Sequence, residues 1–363
     1  MSLGSFPQTA REQPVRGTLP LASRPLPVTI RQSHIEGLTM LKVGFFSAQR
    51  YERPFYPEGA RDGVVIEHFE QSLNARSVML CQGLDAVCVF VNDQLDRTVL
   101  ERLSIVGVRL VALRCAGFNN VDLEAARELG IRVCRVPAYS PEAVAEHCLA
   151  LILTLSRKTH KAYNRVREDN FDLNGLLGFN LAGKTVGVIG HGQIGQALVR
   201  ILKGFGCHVL VSDNEPQQGD FTQVDLDELL AASDIVSLHC PLTDDTYHLI
   251  GEPEFKRMKN TAMLINTSRG ALIDTRACID ALKAGELGYL GIDVYEQESE
   301  LFFRDRSDSI PQDDVFARLT SFPNVLVTGH QGFFTAEALA EIAATTLDSL
   351  AAFERGATLS GEL

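Results

Sequence analysis

Stretches of strand type and helix type alternate along most of this chain, and that alternation constrains the fold more than any other feature of the sequence. One series of short apolar runs lies before residue 139, and a second begins at residue 184. Strands that alternate regularly with helices form parallel sheets with helices on both faces. We therefore predict an α/β fold with two doubly wound parallel-sheet domains and a cleft between them.

The predicted elements follow from local patterns of apolar residues and from helix-start signals. Ser140, Pro141 and Glu142 have the order expected where a helix begins, with a capping hydroxyl, a proline in the first turn and an acid near the positive end. Helices are predicted at 121–129, 141–157, 194–202, 225–232, 275–283 and 336–355. Strands are predicted at 42–48, 85–90, 109–115, 132–136, 184–190, 208–213, 235–239, 262–267, 289–294 and 324–328.

The chain of 363 residues is longer than one hydrophobic core usually spans. We predict one domain from residues 40–138 together with 336–363, and a second from 139–335. Residues 1–39 differ in character, because prolines interrupt any helical period. We predict a disordered leader there. Its prolines are Pro7, Pro14, Pro20, Pro25 and Pro27.

Charge and cysteine usage exclude several classes of function. The chain has 34 Lys and Arg against 46 Asp and Glu, a formal charge of −12 with no basic run, which argues against nucleic-acid binding. No apolar run is long enough to cross a membrane, so we expect a soluble protein. Its eight cysteines lie scattered in apolar stretches without metal-ligand spacing, which predicts buried, reduced thiols, no metal site and a cytoplasmic location.

A glycine-rich turn stands between an apolar strand and a helix in the second series. Gly190, Gly192 and Gly195 have the spacing G-x-G-x-x-G. In this context the first glycine allows the tight turn, the second lets backbone approach a pyrophosphate and the third lets helix and strand pack closely. The helix N-terminus then faces the phosphates. The pattern predicts a Rossmann-like dinucleotide site, in which His191, Gln193 and Ile194 also border the cofactor.

An acid follows the next strand. Asp213 ends the predicted strand 208–213, where a carboxylate accepts hydrogen bonds from an adenosine ribose diol and repels a 2′-phosphate. The cofactor is therefore predicted to be NAD.

Three later strands end in chemically useful side chains. Arg269 follows one strand, Glu298 lies beyond another and His330 follows a third. Because ligands bind at the carboxyl ends of parallel strands, we expect the three to meet at one edge. An arginine fork suits a carboxylate, and a histidine suits proton transfer.

At these residues the sequence resembles the D-isomer-specific 2-hydroxyacid dehydrogenase family and, within it, the fermentative D-lactate dehydrogenases. The resemblance covers nearly all of residues 40–363. Besides the three strand-end segments, it rests on 115–122 (CAGFNNVD), 139–147 (YSPEAVAEH) and 239–243 (HCPLT).

The resemblance implies roles for individual residues. In the family, the histidine matching His330 gives a proton to the keto oxygen, the acid matching Glu298 hydrogen-bonds that histidine and the arginine matching Arg269 holds substrate. The same resemblance implies a substrate pocket formed by Ala116, Gly117, Phe118, Tyr139 and Phe333. It also implies further contacts to the cofactor from His239, Cys240, Pro241, Thr267 and Asp293.

The function predicted in this way is NADH-dependent reduction of pyruvate, or another small 2-keto acid, to D-lactate and the reverse. One alternative is a related D-2-hydroxyacid dehydrogenase with a larger substrate. Another, of a different class, is an NAD-sensing scaffold like the C-terminal-binding corepressors, which keep the same Arg, Glu and His set. We expect a homo-oligomer, either a dimer or a tetramer.

Overall fold

Two sheets organise the part of the chain that the computed structural model describes, which comprises residues 40–61, 63–298, 301–303, 305–308, 310 and 312–363. Helices pack against both sheets, and the predicted α/β fold with doubly wound parallel sheets is confirmed. The predicted disordered leader, 1–39, lies outside the described residues.

The first sheet has six strands in the order β2-β3-β1-β4-β5-β6. All neighbouring strands are parallel except the edge pair β2 and β3, which is antiparallel. Only residues 62 and 63 connect those two strands, and so short a connection permits only an antiparallel pair. The strands are β1 (Leu41–Phe45), β2 (Gly59–Arg61), β3 (Val64–His68), β4 (Ala86–Val89), β5 (Leu110–Leu113) and β6 (Arg132–Arg135).

The second sheet has seven parallel strands in the order β13-β12-β11-β10-β7-β8-β9. The strand order reverses beside β7, which has β8 on one side and β10 on the other. Such a switch point opens a crevice at the carboxyl ends of the strands. The strands are β7 (Thr185–Ile189), β8 (His208–Ser212), β9 (Thr222–Gln223), β10 (Ile235–Leu238), β11 (Met263–Asn266), β12 (Tyr289–Ile292) and β13 (Val325–Val327).

Helices connect the strands of both sheets. The predicted helix 141–157 has the same bounds in the structure, whereas the helices at 97–105, 159–167, 252–257 and 314–320 were not predicted. The helices are α1 (Arg97–Ile105), α2 (Leu123–Glu128), α3 (Pro141–Arg157), α4 (Thr159–Arg167), α5 (Gln193–Gly204), α6 (Leu226–Ala232), α7 (Glu252–Arg257), α8 (Thr275–Ala284), α9 (Asp314–Thr320) and α10 (Ala336–Glu354).

The prediction that the hydroxyl of Ser140 caps α3 is wrong. Its side chain makes no capping hydrogen bond to α3, because its backbone (φ 16°, ψ 76°) lies outside the extended region that a capping residue needs. Instead its backbone N–H donates to Oε2 of Glu341 in α10, at 3.0 Å. The start of α3 is thus tied to the C-terminal helix.

The C-terminal helix packs on the first sheet, as predicted. Ala343 and Leu350 of α10 share one buried cluster with Val43 and Ala112 of that sheet. The domain boundaries at 138/139 and 335/336 stay a prediction. All eight cysteines are free, seven of them are buried and Cys240 is half-buried, whereas their reduced state stays a prediction.

Candidate active site

The glycine-rich turn joins β7 to α5 as the sequence predicted. Gly190 has φ +92°, and a Cβ there would lie 2.7 Å from the backbone nitrogen of Cys240, so both conformation and space demand glycine. A Cβ on Gly195 would lie 2.2 Å from the carbonyl oxygen of Gly190. The first turn of α5 therefore rests directly on the turn that precedes it.

Gly192 faces open space at the start of α5. It is the N-cap residue of this helix, and no atom lies within 4 Å of the position that its Cβ would take. Unpaired backbone N–H groups of a helix N-terminus attract phosphate. Gln193 and Ile194, which follow, line the adjoining cavity. This turn fits the pyrophosphate of a dinucleotide.

Asp213 stands just beyond β8, with its carboxylate turned toward the glycine turn. Its Oδ2 accepts the backbone N–H of His191 at 2.6 Å, and its Oδ1 accepts that of Glu215 at 3.0 Å. Partial burial alone would raise the pKa of Asp213, but these two N–H groups outweigh it and the pKa lies below its ordinary value. An ionised carboxylate at this place suits a ribose diol.

The ring of His191 is held by residues that the sequence analysis missed. Its Nδ1 lies 3.0 Å from Oε1 of Gln217, and its ring meets the edge of Phe221 at 4.6 Å between centroids. Gln217 also donates to Asp213 at 3.4 Å. No pattern in the sequence marks Gln217, because it lies in an irregular segment after β8.

His239 closes the far side of the turn, directly after β10. Burial lowers its pKa to about 4, so the imidazole is neutral at ordinary pH. Its Nε2 lies 2.8 Å from the hydroxyl of Ser237, whose oxygen is 3.1 Å from Sγ of Cys148. Cys240 and Pro241 continue along the cavity wall.

Thr267 leaves a buried hydroxyl without a partner. The residue follows β11 and lines the same cavity, and its Oγ1 makes no hydrogen bond within the described part of the chain. Buried hydroxyls normally have a partner. An unpaired hydroxyl beside the glycine turn therefore fits a polar group of a bound cofactor.

One cavity of about 520 Å³ joins the ends of both sheets. It brings together residues from most of the segments that the sequence singles out, whereas Asp213 lies outside its lining. Its lining includes Ala116, Gly117, Phe118, Tyr139, Gly192, Gln193, Ile194, His239, Cys240, Pro241, Thr267, Arg269, Asp293, His330 and Phe333.

Arg269 reaches from the second sheet to the loop after β5. Its backbone oxygen accepts a hydrogen bond from Nδ2 of Asn266 at 2.8 Å, which fixes the turn that follows β11. A Cβ on Gly117 would lie 2.4 Å from Nη2 of Arg269. The guanidinium thus lies against the backbone of residues 116–118, and an arginine fork there can bind a carboxylate in two places.

His330 and Glu298 form a close pair. Nδ1 of His330 lies 2.8 Å from Oε1 of Glu298, and the two side chains are 17% and 22% exposed. Oε2 of Glu298 accepts the backbone N–H of Tyr295 at 3.0 Å, which orients the carboxylate. Since Nδ1 is engaged, Nε2 is the ring nitrogen available to a ligand in the cavity.

Asp293 is almost fully buried, at 1% exposure, directly after β12. Its carboxylate accepts the backbone N–H groups of Gln331 at 2.9 Å and Gly332 at 2.7 Å, in the loop that carries His330. The predicted contact between Asp293 and the cofactor stays a prediction. What the structure adds is that Asp293 is hydrogen-bonded to the loop of His330.

Aromatic side chains wall the cavity near His330. The rings of Tyr139 and Phe333 lie 6.5 Å apart, and burial raises the pKa of Tyr139 to about 12, so its phenol keeps its proton. No sequence pattern marks Phe303 or Phe90 as part of the site. Phe303 lies 5.7 Å from the ring of His330 and 5.2 Å from that of Phe90. Only the fold joins these two segments.

Comparison with known proteins identifies the family. Residues 149–332 match the model described as "D-isomer specific 2-hydroxyacid dehydrogenase, NAD binding domain". The D-lactate dehydrogenase of Escherichia coli (strain K12) is 51% identical over 89% of this chain and 100% of its own length. The chain belongs to the D-isomer-specific 2-hydroxyacid dehydrogenase family. It is close to the D-lactate dehydrogenases, and the predicted resemblance is confirmed.

Solved structures agree with this assignment. A structure from the study "Identification of the pyruvate reductase of Chlamydomonas reinhardtii" superposes with a TM-score of 0.84, at 44% identity, and covers 89% of this chain and 99% of its own. The apo-structure of D-lactate dehydrogenase from Escherichia coli gives 0.80 at 48% identity, with the same coverage.

Membership of this family makes the chain an NAD-dependent D-2-hydroxyacid dehydrogenase, and the predicted cofactor is confirmed as NAD. Within the described ranges no helix combines the length and apolarity needed to cross a membrane. Those same residues contain no group of three or more side chains arranged to ligate a metal ion.

Proposed function

We propose that this dehydrogenase reduces pyruvate with NADH to D-lactate and catalyses the reverse oxidation. The observation that carries the proposal is that Arg269 and His330, from two strand ends, line one cavity with the 116–118 loop, and that Glu298, beyond a third strand, pairs with His330. The names of the similar proteins, a D-lactate dehydrogenase and a pyruvate reductase, support the choice of substrate.

Substrate binding is assigned to Arg269 and the loop opposite. The guanidinium receives the substrate carboxylate, and the backbone N–H groups of Ala116, Gly117 and Phe118 offer further donors. The contact between Arg269 and Gly117 supports this assignment, since it holds both donor sets at one place.

Proton transfer is assigned to His330. Bound NADH supplies a hydride to the keto carbon. The electron pair of the C=O bond moves to the oxygen, which takes a proton from Nε2 of His330. Glu298, on Nδ1 at 2.8 Å, stabilises the positively charged ring before the transfer. General acid catalysis of this kind contributes roughly 10² to 10⁴-fold to rate.

Pocket size favours a small 2-keto acid over the larger substrates of the alternative. The rings of Tyr139 and His330 each lie 6.5 Å from the ring of Phe333, so aromatic side chains bound the cavity beside the proton donor and limit the space for a substituent on the keto carbon. A corepressor-like scaffold keeps the same three side chains, but unlike a dehydrogenase it can act without converting a substrate. A turnover assay therefore separates the two classes.

NADH oxidation across pyruvate, 2-ketobutyrate, 2-ketoisocaproate and phenylpyruvate tests the substrate, with chiral chromatography of the product. We expect the highest kcat/KM for pyruvate and only D-lactate from it. His330→Ala should lose at least a hundredfold in kcat while NADH binding, measured by fluorescence, persists. His208→Ala, at an exposed histidine of β8, is the matched control with wild-type turnover. Absence of pyruvate turnover in the wild-type enzyme would contradict the proposal.

The remaining assignments are also proposals: a homo-oligomer (dimer or tetramer), a cytoplasmic location and the two domains with the boundaries given above. Three apolar side chains of one segment support self-association, since Phe171, Leu173 and Leu177 are 70%, 78% and 87% exposed. Free thiols are typical of a reducing compartment. Light scattering of the wild type and of a Leu173→Ser, Leu177→Ser double variant tests the oligomer, and a monomeric wild type would contradict it.

A further inference from the structure

Asp293 holds the loop of His330 by three consecutive backbone groups. Its carbonyl oxygen accepts the N–H of His330 at 2.7 Å, and its carboxylate accepts those of Gln331 and Gly332. His330 needs this restraint because its φ of +53° lies in the left-handed region, which is unfavourable for a residue with a Cβ. The position of the histidine ring therefore depends on where the Asp293 carboxylate lies.

Two side chains in turn hold that carboxylate. Thr328 donates its hydroxyl to Oδ1 of Asp293 at 2.5 Å. His147, from the buried helix α3, places Nε2 at 3.2 Å from the same oxygen and 3.1 Å from the Thr328 hydroxyl. Gly332 leaves room for this arrangement, since a Cβ there would lie 3.1 Å from Oδ2 of Asp293 and 3.6 Å from the ring of His147.

We propose that His147 is a positioning residue for the reaction: its Nε2–H donates to the Asp293 carboxylate, keeps it ionised and thereby fixes the loop that carries His330. The inference rests on the proposed function of His330. It assigns a role in catalysis to a polar side chain of α3 that is only 15% exposed.

The electrostatics of Asp293 give this role a measurable signature. Burial would raise the pKa of Asp293, but hydrogen bonds from His147 and Thr328 outweigh it, so the pKa lies below its ordinary value. Without His147 the pKa should rise. A protonated Asp293 loses acceptors for the loop amides, so activity should then fall toward acid pH. The other charged or titratable groups around this cavity are Arg135, Tyr139, His239, Cys240, Arg269 and His330, with Glu298 paired to His330.

His147→Leu and His147→Gln test the proposal in the full-length enzyme. The amide nitrogen of glutamine can take the place of Nε2, whereas leucine has no donor. We expect His147→Leu to lose roughly ten- to a hundredfold in kcat for pyruvate, the effect of one hydrogen bond to a charged group. It should also show a new acidic limb in the pH profile of reduction, with the Kd for NADH within about twofold of wild type. His147→Gln should recover most of kcat and remove that limb.

Glu146→Ala, at the exposed neighbouring position of α3, is the control and should match wild type. A folded His147→Leu enzyme with wild-type kcat, or without the acidic limb, overturns the inference. If the leucine variant does not fold, the glutamine variant decides: near-wild-type kcat supports the role and a tenfold loss overturns it. His330→Ala keeps the two proposals apart. If His330→Ala retains activity, the proposed function fails. If His330→Ala loses activity while His147→Leu stays fully active, only the role of His147 is overturned.

Discussion

Replacing Gly195 by alanine tests whether the close contact between α5 and the preceding turn positions the cofactor site. A Cβ at this position would lie 2.2 Å from the carbonyl oxygen of Gly190. Cβ atoms in real proteins essentially never approach a neighbour closer than 3.0 Å, so the helix has to withdraw by about 0.8 Å, the difference between these distances. The obstacle is backbone and no side-chain rotation relieves it.

Two consequences follow from this displacement. Forced overpacking costs about 1–3 kcal/mol, which exceeds the gain of up to ~1 kcal/mol that alanine brings to a helix. The free energy of unfolding should therefore decrease. A hydrogen bond of ~2.9 Å from the first turn of α5 to a phosphate oxygen would lengthen beyond 3.5 Å. Losing one such charge-assisted bond, worth about 1.5–3 kcal/mol, weakens binding roughly ten- to a hundredfold.

NADH fluorescence titration and thermal unfolding measure both effects. Gly204→Ala, at the last residue of the same helix, is the matched control, because no atom lies within 4 Å of its Cβ position. This control should bind NADH like the wild type and unfold at the same or a slightly higher temperature. If Gly195→Ala had wild-type affinity for NADH and unfolded no lower than Gly204→Ala, the geometric reasoning would be refuted.

Four further predictions concern charge and protonation. Arg269→Lys keeps the charge but loses the fork, so the KM for pyruvate should rise and kcat should fall at unchanged NADH affinity; wild-type pyruvate kinetics would exclude the role. Glu298→Gln removes the charge that stabilises the positively charged ring of His330 before proton transfer, so kcat of pyruvate reduction should fall; an unchanged kcat would mean that the 2.8 Å contact does not assist the transfer. Asp213→Ala should weaken the preference for NADH over NADPH, measured at equal concentrations, whereas a wild type indifferent to the 2′-phosphate contradicts the assignment. Because the pKa of His239 is lowered from 6.5 to about 4, the unfolded chain binds a proton that the folded one does not, and stability should decline as pH falls from about 6.5 to 4; His239→Gln should show a smaller decline in unfolding temperature.

The sequence by itself determined the class of fold and the place of the cofactor turn. Both rest on local patterns: apolar runs of strand length alternate with helical periodicity, and the three glycines stand between one strand and one helix. A short-range pattern needs no knowledge of distant contacts. The bounds of α3 were predictable for the same reason. The short strands β2 and β3 were not, because their residues carry no distinct alternation.

Only the tertiary structure decided which side chains meet. Gly117 lies against the guanidinium of Arg269, from the other sheet, and nothing near Gly117 in the sequence indicates that contact. Ser140 is of a residue type that commonly caps helices, yet its backbone N–H donates to Glu341 of α10 and its side chain does not cap α3. His147 and Asp293 are each one polar residue among buried neighbours, and they become a pair only where α3 crosses the end of β12. Contacts between residues far apart in the chain depend on how sheets and helices pack, and a local pattern does not encode that packing.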